Sequence, residues 1–221
     1  MCEPGQTGIS VDAVERTATQ VLAAHAMGVQ VAVMVGGGNI IRGARLSALG
    51  INRATADYMG MLGTAINAMA LQDAIETRGV ETRICSGLDI HQVAEPFVRR
   101  RAVRHLEKGR IVILSCGSGA PYFTTDTAAA LRAMELGADV LLKATKVDGV
   151  YDKDPKIHAD AQRIPEIGYM EVMNRGLGIM DKTAITLCME NELPIVVFDL
   201  NDPENLRGVL QRKGLGTIIS G

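Results

Sequence analysis

The stretch Gly117-Ser118-Gly119-Ala120-Pro121-Tyr122-Phe123-Thr124-Thr125-Asp126 constrains the fold more than any other part of this chain. It follows an apolar run, Ile111 to Leu114, and precedes an alanine-rich stretch, Thr127 to Leu136. The first reads as a buried strand and the second as a helix. In an open α/β sheet, a loop between a strand's C-terminal end and a helix N-terminus is where ligands bind. Two glycines let backbone N–H groups approach an anion. Thr124, Thr125 and Asp126 bring hydroxyls and a carboxylate to the first helical turn, where the helix dipole favours phosphate. The same residues also suit an ordinary strand–turn–helix connection with an N-cap threonine.

A second loop follows the same logic. Gln30 to Val35 is another apolar, β-branched run; it ends in Gly36-Gly37-Gly38-Asn39, with Arg42 shortly after. Three consecutive glycines are costly in chain entropy, but a backbone cradle around phosphates can use them. Arg42 adds a fork of donors for a phosphoryl group. Two such loops, each after a strand, suggest two phosphate-bearing groups meeting at one sheet edge, as phosphoryl transfer needs.

Composition fits this architecture. A chain of 221 residues can bury one sizeable core, which predicts a single domain over 1–221. Hydrophobic residues make up 47% and aromatics only 3%, with no Trp, so the core is aliphatic and suits strands covered on both faces. The scarcity of aromatics argues against a base-stacking nucleic-acid platform. The formal net charge of −2 gives no general attraction for polyanions. Cys2, Cys85, Cys116 and Cys188 form no Cys-x-x-Cys pair, and the four histidines have no ligand spacing, so no metal site is expected from them. Cys116, beside the main loop, reads as a buried filler or a catalytic thiol. No signal peptide or membrane-length apolar stretch is present in the sequence, and the cytoplasm is the default expectation.

Periodicity and glycine stops predict helices over 12–27, 54–77, 93–108, 124–136, 169–175, 181–192 and 203–210. Strands are expected at 30–35, 82–85, 110–115, 140–143, 195–198 and 217–219. The alternation implies a parallel sheet with right-handed crossovers. Lys143 to Tyr151 reads as a charged surface loop or as a loop whose Tyr151 covers a flat base. Asp57 lies early in a helix, as an acceptor for ribose hydroxyls or a complement to the helix dipole. The Met-rich face of that helix reads as core. Arg99, Arg100, Arg101 and Arg104 form a solvated face, a subunit contact or an anionic effector site. Neither a P-loop nor a dinucleotide fingerprint is present.

Taken together, the motifs resemble the bacterial uridylate kinases of the amino-acid kinase superfamily. The matching pieces are Gly36 to Gly43, Asn52-Arg53 with Asp57 to Met61, Val93 to Pro96 with the arginine run, Gly117 to Asp126, Lys143 to Tyr151, and Met180-Asp181. The resemblance implies a three-layer α/β/α sandwich with a mainly parallel sheet. It implies transfer of the ATP γ-phosphoryl group to UMP, Mg²⁺ taken with ATP, a hexamer, GTP activation and UTP inhibition. By the same resemblance the UMP site comprises Gly37, Asp57, Ser118, Gly119, Ala120, Pro121, Tyr122, Phe123, Thr124 and Thr125. The ATP site comprises Gly38, Arg42, Thr145, Tyr151 and Asp154. Asp126, Arg42 and Asp181 organise phosphoryl transfer. Two departures stand out: the family's first strand with its Lys-Leu-Ser-Gly-Glu loop is absent, so the chain reads as N-terminally truncated, and Ala120 stands where the family usually has Asn. Other readings are a superfamily kinase acting on a carboxylate or carbamate, and a non-catalytic nucleotide- or oxyanion-binding member.

Overall fold

The structure, a computed structural model, describes residues 7–41, 46, 49–153, 155, 157–158, 160–200 and 203–221. The chain is mixed α/β and divides into two compact units, 1–128 and 129–221.

In the first unit, helix α1 (Val11–His25) starts at Ser10, whose hydroxyl accepts from the Ala13 N–H. Strand β1 (Ala32–Met34) follows, then the long helix α2 (Arg53–Glu76), capped by Asn52. Strands β2 (Thr82–Ser86), β3 (Glu95–Pro96) and β4 (Ile111–Ser115) complete a parallel sheet of order β1-β4-β2-β3. Every residue of β4 is buried. Ile111 and Ile113 join Ile84, Leu71, Ile75, Val14 and Val21 in one apolar cluster with α1 and α2. Val112 and Leu114 point the other way by the strand's alternation and are also buried, so the sheet is covered on both faces.

The region expected as a helix over 93–108 differs. Helix α3 spans only Arg99–Glu107, and Glu95-Pro96 forms the edge strand instead. The cause is Pro96, which pushes the preceding residue out of the helical region and lacks the N–H of a central strand.

Helix α4 (Thr125–Leu136) carries the chain into the second unit. There β5 (Leu141–Thr145) pairs in parallel with β9 (Ile195–Asp199). Strand β10 (Thr217–Ser220) runs antiparallel to β9 and parallel to β8 (Glu166–Gly168). The antiparallel β9–β10 pair is an exception within a mainly parallel arrangement, as expected. The stretch Lys143 to Tyr151, read as a loop, instead begins in β5 and ends in β6 (Val150–Tyr151), which pairs with β7 (Arg163–Ile164) as a two-stranded antiparallel ribbon. Helices α5 (Tyr169–Arg175), α6 (Lys182–Glu190) and α7 (Pro203–Leu210) complete the unit. Its core gathers Ile167, Val172, Ile185, Ile195, Val197 and Ile219.

Candidate active site

Both glycine-rich loops leave the C-terminal ends of neighbouring parallel strands, β1 and β4, and both are held by side chains of α2. After β1, the Val35 N–H still bonds the Leu114 carbonyl at 3.2 Å. Gly36, Gly37 and Gly38 then turn without a positive φ, so left-handed freedom is not what this run needs glycine for. The constraint is space at Gly37. A Cβ there would sit 2.4 Å from the Gly60 carbonyl oxygen and 3.0 Å from the Thr64 nitrogen. The loop therefore lies backbone against backbone on α2. Asn67, fully buried on the same helix, donates to the Gly36 carbonyl at 2.7 Å. Gly38 is exposed beyond this seat.

The second loop begins with two left-handed residues, Cys116 (φ 57) and Gly117 (φ 55). The Cys116 N–H donates to the Thr64 hydroxyl at 2.6 Å, and its Sγ lies 3.4 Å from the Met61 carbonyl. Cys116 is completely buried, which suits the filler reading. Gly119 (φ 81) is required twice over, since a Cβ would lie 2.2 Å from the Gly87 carbonyl oxygen. The Ser118 hydroxyl accepts from the Ala120 N–H at 3.3 Å, closing a small turn before Pro121. Tyr122 (φ 72) and Phe123 are 68% and 55% exposed, so this loop presents a free aromatic surface rather than burying it. The Thr124 hydroxyl accepts from the Thr127 N–H at 3.1 Å and caps α4, with Thr125 exposed and Asp126 in the first turn. The ordinary capping role and the phosphate-ready helix end thus coexist.

Asp57 is the side chain that ties the two sequence motifs together. Its Oδ2 accepts from the Tyr122 N–H at 2.9 Å, and both oxygens receive the Arg53 Nε–H at 2.9 Å. The Arg53 guanidinium also lies 5.8 Å from the Tyr122 ring centre, a cation–π arrangement. Asp57 is the fifth residue of α2, whose first turn holds no acid, so the dipole reading loses its basis. The Met-rich face of α2 is split: Met61 is buried, but Met69, Leu62 and Ile66 are about half exposed.

In the second unit, the Thr145 hydroxyl ends β5 by donating to the Val147 carbonyl at 2.6 Å and accepting from the Val147 N–H at 3.1 Å. The Tyr151 hydroxyl donates to Asp148 Oδ1 at 2.7 Å, and that bond raises its pKa above the ordinary phenol value. Gly149 is seated tightly, with its would-be Cβ 2.7 Å from the Thr217 hydroxyl. Asp181 caps α6, its Oδ1 accepting from the Ala184 N–H at 3.1 Å. Arg42 and Asp154 lie outside the described residues. Among the described residues, no three His, Cys, Asp or Glu side chains converge as a metal cage, and no helix is long and apolar enough to cross a membrane.

Thr64 and Asn67 escaped the sequence reading. Both sit in an Ala/Met-rich helix whose small residues read as core, yet both are buried polar groups spaced for one helix face with Asp57. That spacing was the signal available.

The chain matches the amino acid kinase family over residues 5–199. It is 55% identical over 217 residues to a uridylate kinase from Rubrobacter xylanophilus, covering 97% of this chain and 85% of that protein. Among solved structures it is similar to the UMP kinase of Bacillus anthracis, with TM-score 0.96 and 34% identity over 99% of this chain and 90% of that one. It is also similar to the UMP kinase of Ureaplasma parvum, with TM-score 0.91 and 34% identity over 98% and 93% of the two chains. Two loops seated on one helix, both strand ends and likenesses spanning nearly the whole chain lead to one family: the chain belongs to the amino acid kinase family, within its uridylate kinases.

Proposed function

We propose that this chain transfers the γ-phosphoryl group of ATP to the α-phosphate of UMP, giving UDP and ADP, a step that supplies pyrimidine nucleotides. The observation that carries the reading is the bond from Asp57 to the Tyr122 N–H. It joins the acid assigned to the ribose with the loop assigned to the acceptor phosphate. A carboxylate offers about four acceptor sites, so Asp57 can serve both the loop and a ribose.

In this reading Gly37, Asp57 and Ser118 to Thr125 bind UMP, with Ala120 contributing backbone only. Gly38, Arg42, Thr145, Tyr151 and Asp154 bind ATP. The acceptor is already an anion and needs little general-base help. Catalysis is then positioning and charge neutralisation by loop N–H groups, the N-terminus of α4 and Arg42. Asp126 and Asp181 are assigned to organising the transfer, and Mg²⁺ would enter with ATP, held mainly by the substrate phosphates and water. When bound with ATP, the ion neutralises charge on the phosphates. Both units serve one kinase domain over 1–221, working in the cytoplasm.

The same reading includes a hexamer, with GTP as activator and UTP as inhibitor. Tyr58, Leu62, Ile66 and Met69 are 42–47% exposed along one stripe of α2, an apolar face suited to another copy. The effector reading rests on the arginine run Arg99, Arg100, Arg101 and Arg104, beside a cleft of about 310 Å³ lined by Arg83, His91 and Glu95. Glu95 there meets Arg83 at 3.8 Å and Arg101 at 3.9 Å and lies 3.3 Å from His105, so it links the cleft to the arginine run of α3.

An ADP-release assay with UMP, CMP, AMP, aspartate, glutamate and carbamate as acceptors tests the reading. Turnover preferring UMP is expected. Turnover with a carboxylate or carbamate and none with UMP overturns it.

A further inference from the structure

We propose that Thr64 is a positioning residue for the acceptor loop, holding the loop's entry in the left-handed conformation from which Ser118 to Thr125 reach the monophosphate. The proposal rests on the assignment of that loop to UMP.

Two non-glycine residues of this loop have positive φ, Cys116 at 57° and Tyr122 at 72°. Such a conformation costs an L-residue roughly 1–2 kcal/mol and persists only where neighbours enforce it. Each of the two is gripped by its backbone N–H, and each grip comes from α2. Asp57 holds Tyr122 at 2.9 Å and Thr64 holds Cys116 at 2.6 Å. Asp57 and Thr64 are seven residues apart, so they stand two turns apart on one helix face, about 10 Å along the axis. One helix thereby fixes both ends of the loop.

The Thr64 hydroxyl is itself oriented. It donates to the Met61 carbonyl at 2.7 Å, which turns a lone pair toward Cys116. Thr64 is only 6% exposed and Cys116 is fully buried, so water cannot replace the bond. Beyond the kink, the close Gly87–Gly119 backbone contact leaves the loop a single seat. Losing the grip at Cys116 leaves a buried N–H without a partner and the left-handed turn without support. The loop then shifts toward ordinary backbone, and the N–H groups beyond it move off the phosphate position.

The test compares Thr64→Val, which keeps shape and removes the hydroxyl, with Thr64→Ser, which keeps it. Steady-state kinetics are measured against UMP and against ATP, alongside calorimetric UMP binding and urea unfolding. For Thr64→Val, KM and Kd for UMP are expected to rise about ten-fold, the size of one lost buried hydrogen bond. KM for ATP should stay within about two-fold, and Thr64→Ser should recover the wild-type UMP values. A merely stabilising threonine predicts a lower active fraction with both KM values unchanged, and that result overturns the proposal. So does a parallel rise in both KM values, or unchanged UMP binding in Thr64→Val. A wild-type chain that neither binds nor phosphorylates UMP overturns the acceptor assignment, and the proposal falls with it. A wild-type chain that binds UMP as tightly as Thr64→Val overturns the proposal alone.

Discussion

Asn39 and Asn67 exchange hydrogen bonds through their side-chain amides, each donating to the other's oxygen, at 3.0 and 2.6 Å. The remaining N–H of Asn39 donates to the Gly8 carbonyl at 2.8 Å, and that of Asn67 to the Gly36 carbonyl at 2.7 Å. The Gly8 N–H in turn donates to the Asn39 carbonyl at 2.8 Å. The pair pins the first glycine loop to α2 at both of its ends. Replacing Asn67 with Leu removes the partners of the half-buried Asn39 amide and of the Gly36 carbonyl and puts an apolar side chain in the polar seat. The expected loss is about 2–4 kcal/mol of stability, read as a lower urea midpoint at unchanged slope. A change under about 0.5 kcal/mol contradicts the clamp.

Gly37 and Gly60 respond oppositely to alanine. At Gly37 the added Cβ meets backbone oxygen at 2.4 Å, and no flexible side chain can yield. Gly37→Ala should therefore displace the loop and weaken both stability and substrate binding. A Cβ at Gly60 meets nothing within 4 Å, and Gly60 lies inside a helix. Gly60→Ala should raise stability by roughly 0.5–1 kcal/mol through helix propensity. Thermal unfolding of the two variants side by side checks the pair, and equal shifts would refute the close-approach argument.

Asp57→Ala should raise KM for UMP far more than KM for ATP. The lost charged hydrogen bond is worth on the order of 1.5–3 kcal/mol, or about ten- to a hundred-fold. Equal changes in both KM values would point to a folding defect, because Asp57 also holds the Tyr122 N–H.

Burial pushes the Cys188 thiol up to about 11 from its ordinary 9.0. The unfolded thiol ionises from about pH 9 upward while the folded one keeps its proton to about pH 11. Its contribution to stability is thus complete below pH 9 and is lost as pH rises toward 11. Melting temperatures across that range should fall less steeply for Cys188→Ala. Cys85, Cys116 and Cys188 are all buried. In a Cys2→Ser background none should react with a thiol reagent at pH 8 without denaturant, and rapid labelling there would argue against this packing.

Light scattering should report an oligomer at micromolar concentration, and Ile66→Glu, placed mid-stripe on α2, should dissociate it. A wild-type monomer would contradict the hexamer reading.

The strands before both loops were legible because Val31 to Val35 and Ile111 to Leu114 are unbroken β-branched and aliphatic runs, as central parallel strands require. The Gly117–Asp126 loop was legible as a candidate because a glycine-rich piece ends such a run, and Asp57 because it is an acid in an otherwise Ala/Met-rich helix. The early end of the apparent helix at 93–98 was written in Pro96, whose local effect outweighs the surrounding helical period. The β6–β7 ribbon was not legible, since two-residue strands in a polar segment carry no period. Thr64 and Asn67 were hidden for a different reason. Their spacing with Asp57 on one helix face was the sole signal, because their partners at Cys116, Gly36 and Asn39 lie far away in sequence.

Phosphorus NMR of the 221-residue chain with ATP, Mg²⁺ and UMP tests the central claim most directly, because it identifies both products at once. UDP and ADP should form together in equal amounts, with no UDP when UMP is omitted. ADP released with inorganic phosphate and no UDP, or a phosphorylated product only with a carboxylate or carbamate acceptor, would contradict the account.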